Sequence, residues 1–120
     1  MDREIKTKKT MDKKTDKRVK DFLSTVAKQN PNLVTAYLFG SYAQGKQRVE
    51  SDIDIALIIE HLNDNEKFDM QVQLMLLASQ FDIRIEPHLL SMEDLYSSNP
   101  FAAEVKRTGI EIKPRTTNIA

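Results

Sequence analysis

The sequence predicts a small α/β (α+β) domain, with a mixed β-sheet of three to four strands and helices packed mainly on one face. Two apolar runs, at 33–39 and 53–59, have the length and residue types of core strands. Segments with helical apolar spacing lie before the first run and after the second. A chain of 120 residues can bury one modest core, so a single domain is expected.

Composition excludes several classes of protein. The chain has no cysteine, which rules out disulfides, thiolate zinc sites and cysteine nucleophiles. No apolar run reaches the roughly 20 residues of a membrane span, and the N-terminus is too charged for a secretory signal. We therefore expect a cytoplasmic protein that does not enter a membrane.

Charge is unevenly distributed along the chain. Residues 1–20 contain nine Lys or Arg and four Asp or Glu, so this segment is net +5 and the remainder is net −5. The acidic body argues against a broad nucleic-acid surface. The basic segment is best explained as a solvated tail, although contact with nucleic acid or with an acidic partner stays open.

Element boundaries follow from apolar spacing and from turn residues. We predict a flexible basic tail over 1–15, a folded domain over 16–113 and a frayed tail over 114–120. The predicted elements are helix 16–29, strands 33–39 and 53–59, helix 66–80, strand 81–89, a capped helical turn at 91–94, a last helix from Asn99–Pro100 to Gly109, and strand 110–112.

Strand 81–89 and helix 66–80 allow more specific predictions, about position in the sheet and about which side chains are buried. Pro87 predicts that strand 81–89 lies at an edge of the sheet or leaves regular pairing there. The alternation in that strand places Ile83 and Ile85 on one face, and Asp82, Arg84 and Glu86 on the other. The predicted core side of helix 66–80 consists of Phe68, Val72, Met75, Leu76 and Ser79.

Two carboxylates open the second apolar run. Asp52 and Asp54 are two residues apart, so in a strand they share a face with α-carbons about 6–7 Å apart. The residues that follow are apolar at every position, which is typical of a strand buried on both faces. Acids that enter a buried strand repel each other unless a cation lies between them, and Mg²⁺ prefers carboxylate oxygens. The alternative is a pair of ordinary solvated acids.

Gly40 and Ser41 follow the first apolar run. A glycine allows close backbone approach, while a serine hydroxyl and free N–H groups at a helix start can bind an anion. Alone, the pair would suggest a plain turn. A phosphate cradle opposite two carboxylates is the layout expected for metal-assisted phosphoryl or nucleotidyl transfer.

The combined motif resembles that of a known family. It reads Gly40-Ser41-x-Ala43-x-Gly45, then five residues, then Ser51-Asp52-x-Asp54. This pattern is similar to the minimal nucleotidyltransferase (MNT) domain of the DNA polymerase β superfamily, and the resemblance covers about 19–113. It implies the nucleotidyltransferase fold and Mg²⁺-dependent transfer of a nucleoside monophosphate, with AMP from ATP as the expected case. Gln44 stands where many such domains have arginine, which puts one phosphate or packing contact in doubt.

The resemblance also implies a third acid on the strand beside Asp52 and Asp54. Glu86 is the first choice because its strand position lets it point toward the same cleft as Asp54, and Asp82 is the second. The alternative for Glu86 is an ion pair with Arg84 on a solvated face. In this scheme Asp52, Asp54 and Glu86 hold two Mg²⁺ ions, and Gly40 and Ser41 bind the β- and γ-phosphates of ATP.

Other candidate residues are weaker. Lys46 and Arg48 either neutralise triphosphate charge or lie in a solvated loop. Tyr42 either stacks near the nucleotide or packs in the core. His61 and His88 are interpreted as structural, because neither has a partner at ligand spacing.

From its size we expect the chain to have no separate domain that binds an acceptor, so a partner would complete or provide the substrate. Stand-alone domains of this kind resemble the antitoxin half of toxin–antitoxin modules, and the resemblance implies a helical HEPN ribonuclease as partner and AMP transfer to a partner tyrosine. A homo-oligomer stays open. The alternative functions are a non-catalytic antitoxin or binding module of the same fold, and an adenylyltransferase acting on small molecules.

Overall fold

A computed structural model describes residues 11–114 as a four-stranded mixed sheet with helices on both faces. In chain order the elements are α1 (Lys13–Gln29), β1 (Leu33–Phe39), α2 (Ser41–Gln44), β2 (Ile53–Ile59), α3 (Asp64–Ser79), β3 (Ile85–Ser91), α4 (Met92–Leu95), α5 (Pro100–Thr108) and β4 (Ile110–Ile112). The strand order is β3-β2-β1-β4; β2 and β3 are parallel, and the other pairs are antiparallel. The predicted fold class is confirmed. No helix within 11–114 is long and apolar enough to cross a membrane.

The two faces of the sheet are covered to different extents. The long helices α1 and α3 pack on one face, where Phe22, Leu57 and Leu74 belong to the larger core cluster. The short helices α4 and α5 pack on the other face over Ala56 and Ile58. Because side chains alternate along a strand, Asp54 lies on the same face as Ala56 and Ile58. The predicted carboxylates are therefore on the face with the smaller helical cover.

Helix α1 begins earlier than predicted. Asp12 is its N-cap and accepts a 2.7 Å hydrogen bond from the backbone N–H of Thr15, so the helix starts at Lys13 rather than at residue 16. Thr15 is buried, which places residues 13–15 in the folded domain instead of in the predicted flexible tail. The predictions for residues 1–10 and 115–120 lie outside the described residues.

The predicted core side of α3 is wrong. Leu74 and Ala78 are its buried residues, whereas Phe68 is 76% exposed. Apolar residues occur on two sides of this helix, so their spacing does not single out the buried side. The exposed side, here called the exposed apolar face of α3, consists of Phe68, Val72, Met75 and Leu76. Ser79, the last residue of the predicted core side, is also exposed.

Strand β3 begins at Ile85, four residues later than predicted. The Asp82 carboxylate accepts a 2.9 Å hydrogen bond from the backbone N–H of Arg84, which closes a turn before the strand. Ile83 is consequently 85% exposed and does not share the buried face of Ile85, contrary to the prediction. The edge position indicated by Pro87 is confirmed, because β3 is the outermost strand.

The Gln71 side chain of α3 bonds to the backbone of this edge strand. Its amide N–H donates to the Pro87 carbonyl at 2.7 Å, and its amide oxygen accepts from the Leu89 N–H at 3.1 Å. Gln71 thus makes the two bonds that a neighbouring strand would make. The contact also joins α3 to β3 next to Glu86 and His88.

Candidate metal and nucleotide site

The parallel pairing of β2 and β3 brings Asp54 and Glu86 together. These two residues are direct partners in the strand register. One ligand atom from each of Asp54, Glu86 and His88 can be chosen so that all three atoms lie within 4.8 Å of one another. Two of the three predicted metal ligands therefore meet on neighbouring strands, as Glu86 was predicted to do.

Asp52, the third predicted ligand, lies just before β2 and is exposed. Burial raises the pKa of Glu86, and a hydrogen bond to the Asp52 carboxylate together with the charges of Asp52 and Asp54 raises it further. The charge of His88 acts in the opposite direction. Glu86 therefore lies beside both aspartates, and a bound cation would relieve the repulsion among them.

Gly40 lies against Asp54 at the end of β1. Its φ is +75°, and a Cβ added there would be 2.5 Å from Asp54 Oδ2. Only glycine leaves room for the carboxylate at this position, and a positive φ also favours glycine. Ser41 begins α2 directly after it. The predicted phosphate-binding pair is thus adjacent to the predicted metal ligands.

His88 belongs to this site, contrary to the structural role predicted from the sequence. Its Nε2 lies 3.2 Å from Asp54 Oδ1, and its side chain is 34% exposed. The ring packs against Phe39 and Phe101, with centroid distances of 5.1 and 6.0 Å. The available signal was its position two residues after Glu86, since residues two apart share a strand face. His61, by contrast, lies in a loop with a 79% exposed side chain.

Asp82, the second choice for the third carboxylate, forms ion pairs with two arginines instead. Its side chain is 4% exposed and accepts from Arg84 at 2.8 Å and from Arg18 at 3.1 Å. The hydrogen bonds from Arg84 hold the pKa of Asp82 far below its ordinary value. Arg84 also donates to the Tyr42 hydroxyl and to Thr15 Oγ1, each at 3.1 Å. The alternative pairing of Arg84 with Glu86 is wrong, because the guanidinium is directed at Asp82.

The remaining candidates lie outside the carboxylate site. Tyr42 is buried and its hydroxyl accepts a hydrogen bond from Arg84, so of its two predicted roles the structure supports packing in the core. Lys46 and Arg48 are exposed. A pocket of about 460 Å³ is lined by residues from the start of α1, by Tyr42, by Arg84 and by the loop at 47–49, and it shares no residue with the carboxylate site.

The donor set suits a divalent metal ion. Two carboxylates and one imidazole converge, and a third carboxylate, that of Asp52, lies beside Glu86. Within residues 11–114 no lysine or arginine forms an ion pair with Asp52, Asp54 or Glu86. Carboxylate oxygens are the ligands that Mg²⁺ prefers. The space left by Gly40 keeps Asp54 next to the Gly40–Ser41 turn. The residues present therefore fit a metal ion beside the turn that is predicted to bind phosphate.

Comparison with solved structures identifies proteins of similar fold. A structure from Sulfolobus solfataricus, assigned as a nucleotidyltransferase, is 26% identical over 87% of this chain and 84% of its own, with a TM-score of 0.61. A crystal structure of a toxin–antitoxin with AMP-PNP is 28% identical over 80% and 73%, with a TM-score of 0.55. A mutant of the toxin–antitoxin MntA–HpeT is 31% identical over 76% and 68%, with a TM-score of 0.53.

Sequence comparison gives the family. No curated protein matches the chain. The profile of the family described as "Polymerase beta, Nucleotidyltransferase" matches residues 22–118, which include both halves of the motif and Glu86. With this match and the site geometry together, the chain belongs to the polymerase β nucleotidyltransferase family.

Proposed function

We propose that this chain is a Mg²⁺-dependent nucleotidyltransferase that moves AMP from ATP to a hydroxyl group of a partner protein. The observation that carries the proposal is the pairing of Asp54 with Glu86 across β2 and β3, directly beside Gly40. Carboxylates held next to a phosphate-binding turn are the arrangement that nucleotidyl transfer needs. The family match supports the reaction class.

Each site residue has a separate task in this proposal. Asp52, Asp54 and Glu86 would hold two Mg²⁺ ions, which supply charge neutralisation at the triphosphate when they are bound. Ser41 and the backbone N–H groups of Gly40 and Ser41 bind the β- and γ-phosphates. Gly40 also keeps the Asp54 carboxylate close to these phosphates.

The transfer itself is a single displacement at phosphorus. The acceptor hydroxyl oxygen forms a bond to the α-phosphorus, and the bond from that phosphorus to the oxygen bridging to the β-phosphate breaks. Pyrophosphate leaves with the bonding electron pair, and the hydroxyl proton passes to a carboxylate of the site. The products are an AMP ester of the acceptor and pyrophosphate.

A partner protein is the proposed acceptor. Two of the similar solved structures are toxin–antitoxins, which supports a toxin partner, and we propose one of the helical HEPN type. The exposed apolar face of α3 offers a surface for such a protein, because Phe68 and Leu76 are 76% and 63% exposed. A cytoplasmic location forms part of the proposal, since ATP is available there.

The second candidate function is an antitoxin that acts by contact alone. The exposed apolar face of α3 favours it, because this face could bind a partner without any chemistry at the carboxylates. Two departures from the family pattern keep this function open: Gln44, exposed at the end of α2, and the glutamate at position 86.

Transfer of label from ATP to protein tests the proposal. The pure chain is incubated with Mg²⁺, ATP labelled at the α-phosphate and a lysate of the native host. The control is the Asp52→Asn/Asp54→Asn variant, which keeps side-chain size and removes both charges. A labelled protein band that depends on the two aspartates is the expected result.

Other outcomes identify the alternatives. Label found only on small molecules would contradict a protein acceptor and support the small-molecule adenylyltransferase. No transfer from ATP, GTP, CTP or UTP by folded protein, together with capture of a toxin by both the chain and its variant, would support the contact-only antitoxin.

A further inference from the structure

We infer that His88 is a metal ligand, so that Asp54, Glu86 and His88 form a mixed oxygen and nitrogen site that binds Mn²⁺ more tightly than Mg²⁺. The inference deepens the proposed function, because it concerns the same cluster, and it rests on that function for the presence of a metal. It adds an imidazole to the all-carboxylate set expected from the sequence.

The positions of the three residues allow one ion to contact all of them. Asp54 and Glu86 are register partners, and His88 follows Glu86 by two residues on the same face of β3. Their ligand atoms lie within 4.8 Å of one another. Opposite ligands of an ion with bonds of about 2.1 Å are about 4.2 Å apart, so small side-chain rotations bring the three onto one ion.

The imidazole is held with a nitrogen directed into the site. Nε2 lies 3.2 Å from Asp54 Oδ1, while the ring contacts Phe39 edge-on and lies beside Phe101. Gly40 lies on the other side of Asp54, where the Oδ2 atom is next to the space that a Cβ at position 40 would fill. The Asp54 carboxylate is thus located between the glycine turn and the histidine. An ion placed between these two side chains would have Asp54 and His88 as neighbouring ligands.

Ligand chemistry determines which ion such a site prefers. Mg²⁺ favours oxygen ligands and releases its waters reluctantly, so one nitrogen donor adds little to its binding. Imidazole binds first-row transition ions well, and affinity for a mixed site rises along that series from Mn²⁺. Mn²⁺ also accepts carboxylates, so of the two ions compared here, Mn²⁺ and Mg²⁺, it gains more from the added imidazole.

The test is electron spin-echo envelope modulation of the full chain with MnCl₂ alone. Directly coordinated imidazole gives a ¹⁴N modulation, and the chain has only two histidines, so the signal can be assigned. We expect the modulation in the natural chain and in His61→Gln, and its loss in His88→Gln. Titration should show Mn²⁺ binding ~10-fold tighter than Mg²⁺, with His88→Gln weakening Mn²⁺ binding ~10-fold and leaving Mg²⁺ binding within about twofold.

The outcomes separate this inference from the proposed function. Mn²⁺ binding without ¹⁴N modulation, or equal modulation in His88→Gln, would overturn the role of His88 while leaving Mg²⁺-dependent transfer intact. Absence of Mn²⁺ binding to the chain alone would also overturn it. Loss of transfer with Mg²⁺ and ATP, in a chain that still shows the modulation, would instead contradict the proposed function. Thermal melting of each variant checks that it is folded.

Discussion

Two charged groups lie close to the start of β3: Asp82 with its arginine partners, and Glu86 with the neighbouring aspartates. They differ in how the carboxylate charge is balanced. Asp82 is buried between two guanidinium groups, and its pKa is strongly lowered. Glu86 lies four residues later among other acids, and its pKa is raised. The first group is complete without a ligand, whereas the second lacks a countercharge from lysine or arginine within the described residues. The lack of lysine or arginine partners, rather than the presence of acidic residues, distinguishes the candidate site from the structural ion pairs.

The largest expected effect tests the second group. Glu86→Gln should lower nucleotidyl transfer ~1,000-fold, because it removes a metal ligand and the charge that the metal balances. The free energy of unfolding should stay constant or rise at neutral pH, since the variant removes repulsion with Asp52 and Asp54. Transfer assays with Mg²⁺ and urea denaturation measure the two effects. A variant that keeps full transfer would show that Glu86 is not the third carboxylate.

The reverse result is expected for the first group. Asp82→Asn should lower the free energy of unfolding by about 2–3 kcal/mol, because Arg84 and Arg18 lose a buried ionised partner. Transfer per folded molecule should be retained, since Asp82 is not part of the carboxylate site. Urea denaturation at neutral pH and a transfer assay below the melting temperature provide the measurements.

The difference in free energy of unfolding between the natural chain and Asp82→Asn should depend on pH. The folded-state pKa of Asp82 is lowered from the ordinary value of 3.8, so the unfolded chain takes up a proton first as the pH falls. The advantage of the natural chain over Asp82→Asn is therefore fully present above about pH 4 and is lost as the pH falls toward the depressed pKa. An advantage that stayed constant down to pH 2 would contradict an ionised Asp82 as the source of the stability.

The smallest effect concerns the glycine beside the second group. Gly40 and Gly45 both have a positive φ, but Gly40 (ψ −151°) lies in a region essentially restricted to glycine, whereas Gly45 (ψ 24°) is left-handed helical. A Cβ at Gly40 would also meet Asp54, while nothing lies within 4 Å at Gly45. Gly40→Ala should therefore be less stable than Gly45→Ala by ~1 kcal/mol and should alone weaken Mn²⁺ binding. Parallel denaturation and metal titrations measure both differences. Equal behaviour of the two variants would mean that Gly40 does not position the carboxylate.

The sequence predicted β1, β2 and β4 well because the signals for these strands are local. The bounds of β1, β2 and β4 are as predicted, since each is a short apolar or alternating run closed by turn residues. The capping box at Ser91 and the N-cap at Asn99 are also confirmed, because both depend on residues only two or three positions apart. The placement of Glu86 near Asp54 followed from the family pattern, and the parallel pairing of β2 and β3 makes the two residues register partners.

What could not be predicted depends on contacts between distant segments. The start of β3 was misplaced because Asp82 closes a turn with Arg84 and also binds Arg18 from α1. The buried side of α3 was wrong because both sides are apolar, and only the sheet decides between them. His88 was missed because its partner Asp54 is 34 positions away in the sequence. Periodicity cannot report such pairings.

The bonds from Gln71 to β3 also bear on whether copies of this chain associate. An edge strand with free N–H and C=O groups is a template for a strand from another molecule, and such pairing leads to aggregation. Gln71 occupies the Pro87 carbonyl and the Leu89 N–H, and Pro87 itself has no N–H to offer. The strand that carries Glu86 and His88 is thereby protected from intermolecular β-pairing, although no strand within residues 11–114 pairs with its outer side. One glutamine thus lets a reactive strand stay at the edge of the sheet without becoming a point of aggregation.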